Sequence, residues 1–192
     1  MRLAVLVSGR GSNLRNLAGR GFEVAAVATN RPSCAAAAWA REAGLEVGEF
    51  PQSRYASGPA RDADMRDWLS ARGVELVVNA GYDRILSPAF TAAFGGRILN
   101  VHPSLLPAFG GGMDAVRQAL DHGVKVTGCT VHVVTDDVDA GPILLQAAVP
   151  VLPGDTVETL HARIREQEHR LLPEAIRMIE VRDAEKSAPV RQ

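Results

Sequence analysis

The segment RILNVHPSLLPAF, residues 97 to 109, places an amide and an imidazole two positions apart. Asn100 and His102 end an apolar run that is typical of a buried strand, and their side chains point the same way because side chains alternate along a strand. An amide N–H2 and an imidazolium both donate hydrogen bonds, and paired donors stabilise the oxyanion of a tetrahedral carbonyl adduct. The pair therefore predicts an acyl-transfer site, whereas a lone histidine here would indicate only a hydrogen bond to the following loop.

A carboxylate partner for this histidine is available in the acidic turn TDDVDAG, residues 135 to 141. A nearby carboxylate stabilises the imidazolium form, which can donate to an oxyanion and carry a proton. Asp136, Asp137 and Asp139 all qualify, and Asp is also a common turn former. The spacing alone does not choose among the three.

Other kinds of catalytic site are disfavoured by the residue types present. His102 and His132 are not at the spacing of metal ligands and no HExxH motif occurs, so we expect no metal. The sequence has no serine elbow and no arrangement typical of a covalent nucleophile. Cys34 and Cys129 form no CxxC motif, which predicts idle or buried thiols instead of a disulfide framework.

A second candidate site is the glycine-rich turn SGRGSN, residues 8 to 13, which follows the first apolar run. Backbone N–H groups of such a turn, together with the start of the next helix, attract an anion. Gly11, Ser12 and Asn13 are the candidates, although a plain tight turn with a Ser or Asn cap is the simpler interpretation of this turn alone. A dinucleotide is disfavoured because Leu14 occupies the third glycine position of GxGxxG. A small phosphate fits better.

The elements that position these residues follow an alternating pattern of strands and helices. Such alternation predicts an α/β fold with a doubly wound, mostly parallel sheet and a Rossmann-type N-terminal half. Ligands of these folds bind outside the carboxyl ends of the strands, where both candidate segments fall. The predicted strands cover residues 2–9, 22–29, 45–50, 74–81, 96–102, 126–135 and 141–151, and the predicted helices 35–44, 58–73, 113–123 and 154–181.

The chain fits one domain whose two lobes share the sheet. We expect a phosphate-binding half over residues 1–102 and a second half over residues 103–181. Asp155 or Thr156 is expected to cap the long last helix, and Pro173 to kink or divide it. Residues 182–192 are polar and are expected to form a loose tail.

Composition restricts the partners of the protein. The 192 residues carry a net charge of −1 and 46% are hydrophobic, so nothing draws the chain to nucleic acid or to an anionic membrane. LAVLV is too short for a signal peptide or a membrane span. These features predict a cytoplasmic protein, and they leave open whether it is a monomer or a homodimer.

Five segments, in order along residues 1 to about 180, closely resemble the bacterial phosphoribosylglycinamide formyltransferase family. They are SGRGSNL, AGYDRILSPAF, ILNVHPSLLPAF, VTDDVDAGPILLQ and REQEHRLLP. Methionyl-tRNA and sugar-nucleotide formyltransferases and formyltetrahydrofolate deformylase share only part of this pattern and usually have an additional domain. The resemblance implies a formyltransferase of purine biosynthesis and one-carbon metabolism. It would move a formyl group from 10-formyltetrahydrofolate, its cosubstrate, to the primary amine of glycinamide ribonucleotide, without a metal.

The resemblance also implies residue roles. The residues that match the catalytic trio are Asn100, His102 and Asp139. Those that match the ribonucleotide site are Gly11, Ser12, Asn13, Gln167 and Glu168. Those that match the folate site are Arg61, Asp83, Arg84, Ile85, Leu86, Asn100, Thr135, Asp136, Asp137 and Val138.

Two features depart from the family pattern, and a third is expected from it. Asp83 stands where relatives often have an apolar residue, and a glycine triplet at 110–112 lies where some relatives carry a histidine nearby. The family also implies a cis peptide bond at Leu106–Pro107, which an X–Pro sequence permits. Two other functions stay open: a formyltransferase for another amine, such as a sugar nucleotide, and a non-catalytic nucleotide-binding module.

Overall fold

The computed structural model describes residues 1–187, and within this range seven strands form one sheet in the order β3-β2-β1-β4-β5-β6-β7. Strands β1 to β5 are parallel, and β6 and β7 are antiparallel additions at one edge. The predicted doubly wound, mostly parallel α/β fold is confirmed. The strands are β1 (Leu3–Val7), β2 (Val24–Thr29), β3 (Val47–Glu49), β4 (Leu76–Asn79), β5 (Ile98–His102), β6 (Val126–Val133) and β7 (Ile143–Pro150).

Helices cover both faces of the sheet, because its central strands are apolar on both sides. Along β1, Val5 and Leu6 are both fully buried but belong to different apolar clusters, one on each face. The apolar runs of the central strands are therefore sandwiched between two helical layers. The helices are α1 (Ser12–Gly19), α2 (Ala35–Glu42), α3 (Gly58–Ser70), α4 (Pro88–Ala93), α5 (Ala115–Asp121) and α6 (Val157–Ser187), with a short 3-10 helix at Gln52–Arg54.

The long helix α6 departs from the sequence-based expectation at Pro173, which lies inside one continuous helix. Proline has no N–H to donate to the carbonyl four residues earlier, which is that of His169. Asn16 of α1 donates its side-chain N–H to this carbonyl at 2.8 Å. A tertiary hydrogen bond thus replaces the missing helical one, and the expectation that Pro173 divides the helix was wrong.

The start of α6 agrees with the predicted cap, because Thr156 Oγ1 accepts a hydrogen bond from the Thr159 N–H at 3.3 Å. Its end does not agree with the predicted loose tail from residue 182 onward. The helix continues to Ser187, and Asp183 forms an ion pair with Arg97 at 2.8 Å. The tail prediction is wrong for residues 182–187, and residues 188–192 lie outside the described range.

Three further observations bear on the sequence predictions. The Leu106–Pro107 peptide bond is cis, as the resemblance implied. Cys34 and Cys129 are free thiols, and Cys129 is buried, as expected. Over residues 1–187, no helix is long and apolar enough to cross a membrane.

Candidate functional site

The three predicted catalytic side chains meet at the carboxyl end of β5. Asn100 and His102 lie on that strand, and Asp139 reaches them from the turn between β6 and β7, where its φ is 53°. His102 Nδ1 is 3.4 Å from Asp139 Oδ2, and Asn100 Nδ2 donates to Asp139 Oδ1 at 3.4 Å. Of the three aspartates in the turn, Asp139 is therefore the one that the structure places beside the Asn–His pair.

His102 lies between two oxygen atoms. The residue is 5% exposed, and its Nε2 lies 2.9 Å from the carbonyl oxygen of Phe109. Its other ring nitrogen faces the Asp139 carboxylate. The ring therefore connects the loop after β5 with the β6–β7 turn.

A fourth side chain, His132, belongs to this cluster and was not among the predicted site residues. It lies directly opposite Asn100 in the antiparallel β5–β6 pair and is 2% exposed. Its Nε2 is 3.0 Å from Asn100 Nδ2 and 3.6 Å from Asp139 Oδ1. When this nitrogen carries a proton it donates to Asp139, and when it does not it accepts from Asn100.

Asp139 is held in its charged form by these neighbours. Hydrogen bonding from His132 lowers the pKa of Asp139, and burial opposes that effect. The Gly111 N–H, which donates to Asp139 Oδ2 at 2.8 Å, and the charge of His102 lower the pKa further. The site therefore has an ionised carboxylate next to the ring of His102, the pairing predicted for an oxyanion site.

The glycine-rich turn after β1 has the geometry of an anion loop. Gly11 adopts a φ of 75° and immediately precedes α1, so the first N–H groups of the helix point out of the loop. A Cβ at this position would lie 2.5 Å from Ala36 Cβ, so glycine is required both by the backbone conformation and by space. Helix α1 begins at Ser12, and Gly11 before it has no side chain that could cap the helix.

Two of the predicted ribonucleotide residues meet beside this loop. Asn13 Nδ2 donates to Glu168 Oε2 at 3.0 Å, and both side chains are 6% exposed. Asn13 Oδ1 is buried without a hydrogen-bond partner among the described residues. The neighbouring Gln167 is less buried, and its Oε1 accepts from Arg170 at 3.2 Å.

Burial raises the pKa of Glu168, and the hydrogen bond from Asn13 only partly offsets that effect. When folding raises the pKa of a carboxyl group, the folded protein loses stability as the pH increases through the pKa that the group has in the unfolded state. We therefore expect Glu168→Gln to raise the melting temperature at pH 7 by about 2 °C or more.

The same substitution should leave the melting temperature unchanged, or lower it, at pH 4, where Glu168 is largely protonated in both states. Calorimetry at the two pH values measures this difference. A lower melting temperature for Glu168→Gln at pH 7 would show that the charged carboxylate stabilises the fold.

The predicted folate residues form two loops on either side of the catalytic cluster. In the loop after β4, Arg84 and Ile85 are exposed while Leu86 is 7% exposed. In the β6–β7 turn, Asp136 accepts a hydrogen bond from Thr91 of α4 at 2.5 Å, which fixes this turn to the neighbouring helix. Within the same turn, Thr135 Oγ1 donates to the Asp137 carbonyl oxygen at 3.2 Å. Val138, also in this turn, is 48% exposed.

Arg61, which the resemblance matches to a folate contact, is engaged inside the protein. Its side chain is 3% exposed and donates from Nε and Nη2 to Asp62 Oδ1 at 2.9 and 2.7 Å. Asp62 Oδ2 in turn accepts from the Ser87 N–H at 2.7 Å, and the guanidinium lies 5.9 Å from the Tyr82 ring centroid. Arg61 thus forms an internal ion pair behind the loop after β4, and its role as a folate contact stays a prediction.

Among the described residues, no group of three or more His, Cys, Asp or Glu side chains is arranged to hold a metal ion. The absence of a metal from the reaction stays a prediction.

Comparison with known proteins agrees with the fold. The family model described as Formyl transferase matches residues 1–176. A phosphoribosylglycinamide formyltransferase from Mycobacterium tuberculosis is 47% identical over 180 residues, which cover 91% of this chain and 83% of that protein. The crystal structure of glycinamide ribonucleotide transformylase 1 from Symbiobacterium toebii has a TM-score of 0.89 and 51% identity, covering 93% of this chain and 87% of that one.

A longer relative is also similar. The trifunctional purine biosynthetic protein adenosine-3 of Bos taurus is 43% identical over 184 residues, and the match spans 93% of this chain but only 18% of that protein. The family match extends over most of the described residues, from β1 into α6. The chain belongs to the formyl transferase family.

Proposed function

We propose that this protein transfers the formyl group of 10-formyltetrahydrofolate to the primary amine of glycinamide ribonucleotide, in de novo purine biosynthesis. The observation that carries the proposal is the cluster of Asn100, His102 and Asp139 at the same sheet edge as the anion loop. Strand β4 separates β1 from β5, so the ends of these two strands lie about 10 Å apart. A ribonucleotide held by its phosphate at the loop can therefore present an amine at the cluster.

The chemistry follows from the charges of the cluster. The neutral amine attacks the formyl carbon, and the carbonyl electron pair moves to oxygen. The imidazolium of His102 and the amide N–H2 of Asn100 stabilise this oxyanion, and Asp139 keeps His102 charged. The adduct then collapses, the bond to N10 of the folate breaks, and the proton lost by the amine replaces it on N10, with the His102–Asp139 pair carrying protons.

Two contacts within the protein have to break before the cluster can hydrogen-bond a substrate. His102 Nε2 faces the carbonyl oxygen of Phe109, and the Gly111 N–H is bonded to Asp139. Both contacts come from the loop after Pro107, whose Phe109 has a positive φ of 56°. We propose that this loop shifts when the substrates bind, as loops over active sites commonly do.

The ribonucleotide side is proposed to use the anion loop and the buried pair beside it. Backbone N–H groups of Gly11, Ser12 and Asn13 would hold the phosphate, with the α1 N-terminus adding a partial positive charge. Glu168 would accept hydrogen bonds from the ribose hydroxyls, since its second oxygen is not engaged by Asn13. Gln167 is proposed to lie at the margin of the same site.

The folate side is proposed to use the loop after β4 and the β6–β7 turn. Their backbone groups can hydrogen-bond a pterin ring, and Leu86 offers it apolar contact. The proposed folate residues are Asp83, Arg84, Ile85, Leu86, Asn100, Thr135, Asp136, Asp137 and Val138.

We further propose that the phosphate-binding half is residues 1–102 and the folate-binding half residues 103–181. The loop after β4 belongs by position to the first half, although it is proposed to bind folate. We also propose a cytoplasmic enzyme with small-molecule substrates, as a monomer or homodimer, and the net charge of −1 supports the absence of a nucleic-acid partner.

A turnover assay on the purified chain tests the proposed function. We expect formyl transfer from 10-formyltetrahydrofolate to glycinamide ribonucleotide, with a kcat in the ordinary range of about 1 to 1,000 per second. A faster reaction with an amino sugar nucleotide would indicate a formyltransferase for another amine. Binding of the ribonucleotide without turnover of either amine would indicate a nucleotide-binding module.

A further inference from the structure

A closed ring of hydrogen bonds joins the ends of three adjacent strands, away from the catalytic cluster. Its members are Ser8 after β1, Asn30 after β2 and Asp83 after β4. The Ser8 hydroxyl donates to Asn30 Oδ1 at 2.6 Å, Asn30 Nδ2 donates to Asp83 Oδ1 at 2.7 Å, and the Asp83 N–H donates to Ser8 Oγ at 3.0 Å. We call these three residues the strand-end ring.

The directions of these bonds depend on a carboxylate at position 83. A carboxylate only accepts, so the Asn30 amide must point its N–H2 toward it and its oxygen toward Ser8. Ser8 and Asn30 are 6% and 7% exposed, which makes an unpaired polar group in the ring costly. An apolar residue at position 83 would leave the Asn30 N–H2 without this acceptor.

Two arginines neutralise the Asp83 charge. Arg31 forms an ion pair with Asp83 Oδ2, and Arg84 Nε lies 3.7 Å from Oδ1. Burial alone would raise the pKa of Asp83, but the hydrogen bond from Asn30 and the charges of both arginines help to outweigh it, and the pKa is lowered. The carboxylate is therefore ionised throughout the neutral range.

The ring links the two substrate loops of the proposed function. Ser8 is the first residue of the anion loop, and Asp83 is the first of the proposed folate residues in the loop after β4. A backbone hydrogen bond from the Ser8 N–H to the Gly81 carbonyl oxygen, 3.1 Å long, runs beside the ring. Displacing either loop would break bonds that the other needs.

We propose that Asp83 is a positioning residue that holds the anion loop and the folate loop in register through the strand-end ring. This inference rests on the proposed function for the identity of the two ligands, but not for the ring itself. Its distinctive consequence is a crossed effect, in which a change in one loop weakens the ligand of the other.

The experiment compares Asp83→Leu, Asp83→Asn and Ser8→Ala with the wild-type chain. Titration calorimetry with glycinamide ribonucleotide and, separately, with tetrahydrofolate gives two dissociation constants for each protein. We expect Asp83→Leu to raise both constants about tenfold, and Ser8→Ala to raise the tetrahydrofolate constant as well. Asp83→Asn keeps an oxygen for Asn30 and should produce smaller increases in both.

A matched control is Asp155→Asn, which removes another nearly buried carboxylate, 5% exposed and paired with Arg163. It should leave both dissociation constants unchanged even if it lowers the melting temperature. An effect of Asp83→Leu on tetrahydrofolate alone, or of Ser8→Ala on the ribonucleotide alone, would overturn the inference.

Amide hydrogen exchange tests the ring without any ligand. Asp83→Leu should speed exchange in residues 9–13 about tenfold, whereas Asp155→Asn should not. Unchanged exchange in residues 9–13 would overturn the inference whether or not the wild-type chain transfers formyl groups. Failure of the proposed function would instead appear as a wild-type chain without turnover whose exchange still responds to Asp83→Leu.

Discussion

His102→Ala lowers kcat for formyl transfer by about 100- to 1,000-fold, the usual cost of removing one oxyanion donor. The His102 ring faces the Asp139 carboxylate and the Phe109 carbonyl oxygen, so the variant loses the side chain that the proposed mechanism uses as an oxyanion donor. KM for the ribonucleotide should change by less than about threefold, since its phosphate is held elsewhere. Steady-state kinetics, with each substrate varied in turn, measures the effects on kcat and on KM separately.

The control for this prediction is His122→Ala, which removes an exposed histidine at the end of α5. It should keep near wild-type kcat. Asn100→Ala should lose activity like His102→Ala, and the double variant should lose less than the product of the two, since both act on one oxyanion. Wild-type-like turnover in either single variant would exclude the proposed oxyanion site.

The position of the cluster was predictable because it depends on local rules. Apolar runs bounded by glycine indicate buried parallel strands, and the i, i+2 spacing puts Asn100 and His102 on one face. The carboxyl ends of such strands form the binding edge of the fold. None of these inferences needs the partner of each strand to be known.

His132 and Asp139 depend on information that the local sequence lacks. His132 enters the site because β6 pairs antiparallel to β5 with His132 opposite Asn100, and no local pattern sets that register. Asp139 is chosen over its neighbours by a positive φ and by the Gly111 N–H, which is 28 residues away. The only sign in the sequence that His132 has a role was a histidine within the buried strand VTGCTVHVV.

Arg61 and Pro173 also show that local sequence rules do not reveal tertiary contacts. Arg61 on a helix suggests a free charge, yet Asp62 satisfies it inside the protein, and both lie behind the loop that ends at Ser87. Pro173 suggests a helix break, yet Asn16 supplies the hydrogen bond that the proline cannot. In both cases a tertiary contact overrides a sound local rule.

Gly11→Ala raises KM for glycinamide ribonucleotide by about 10- to 100-fold, while kcat changes much less. The new Cβ would meet Ala36 Cβ at 2.5 Å and Ala36 Cα at 3.0 Å, so the loop or the start of α2 has to move. The left-handed conformation at φ 75° adds about 1 to 2 kcal/mol of strain. Each displaced N–H that donates to the phosphate costs about 1.5 to 3 kcal/mol, because hydrogen bonds to charged groups are strong.

Two further variants separate the phosphate effect from general damage to the turn. Gly9→Ala changes the same loop, but nothing lies within 4 Å of its Cβ position and its φ is not positive, so KM should stay within about twofold. Adding Ala36→Gly to Gly11→Ala removes the closest contact and should recover part of the affinity, while the strain of the positive φ keeps the recovery incomplete. If Gly9→Ala and Gly11→Ala raise KM equally, the loop does not hold the phosphate through its backbone geometry at Gly11.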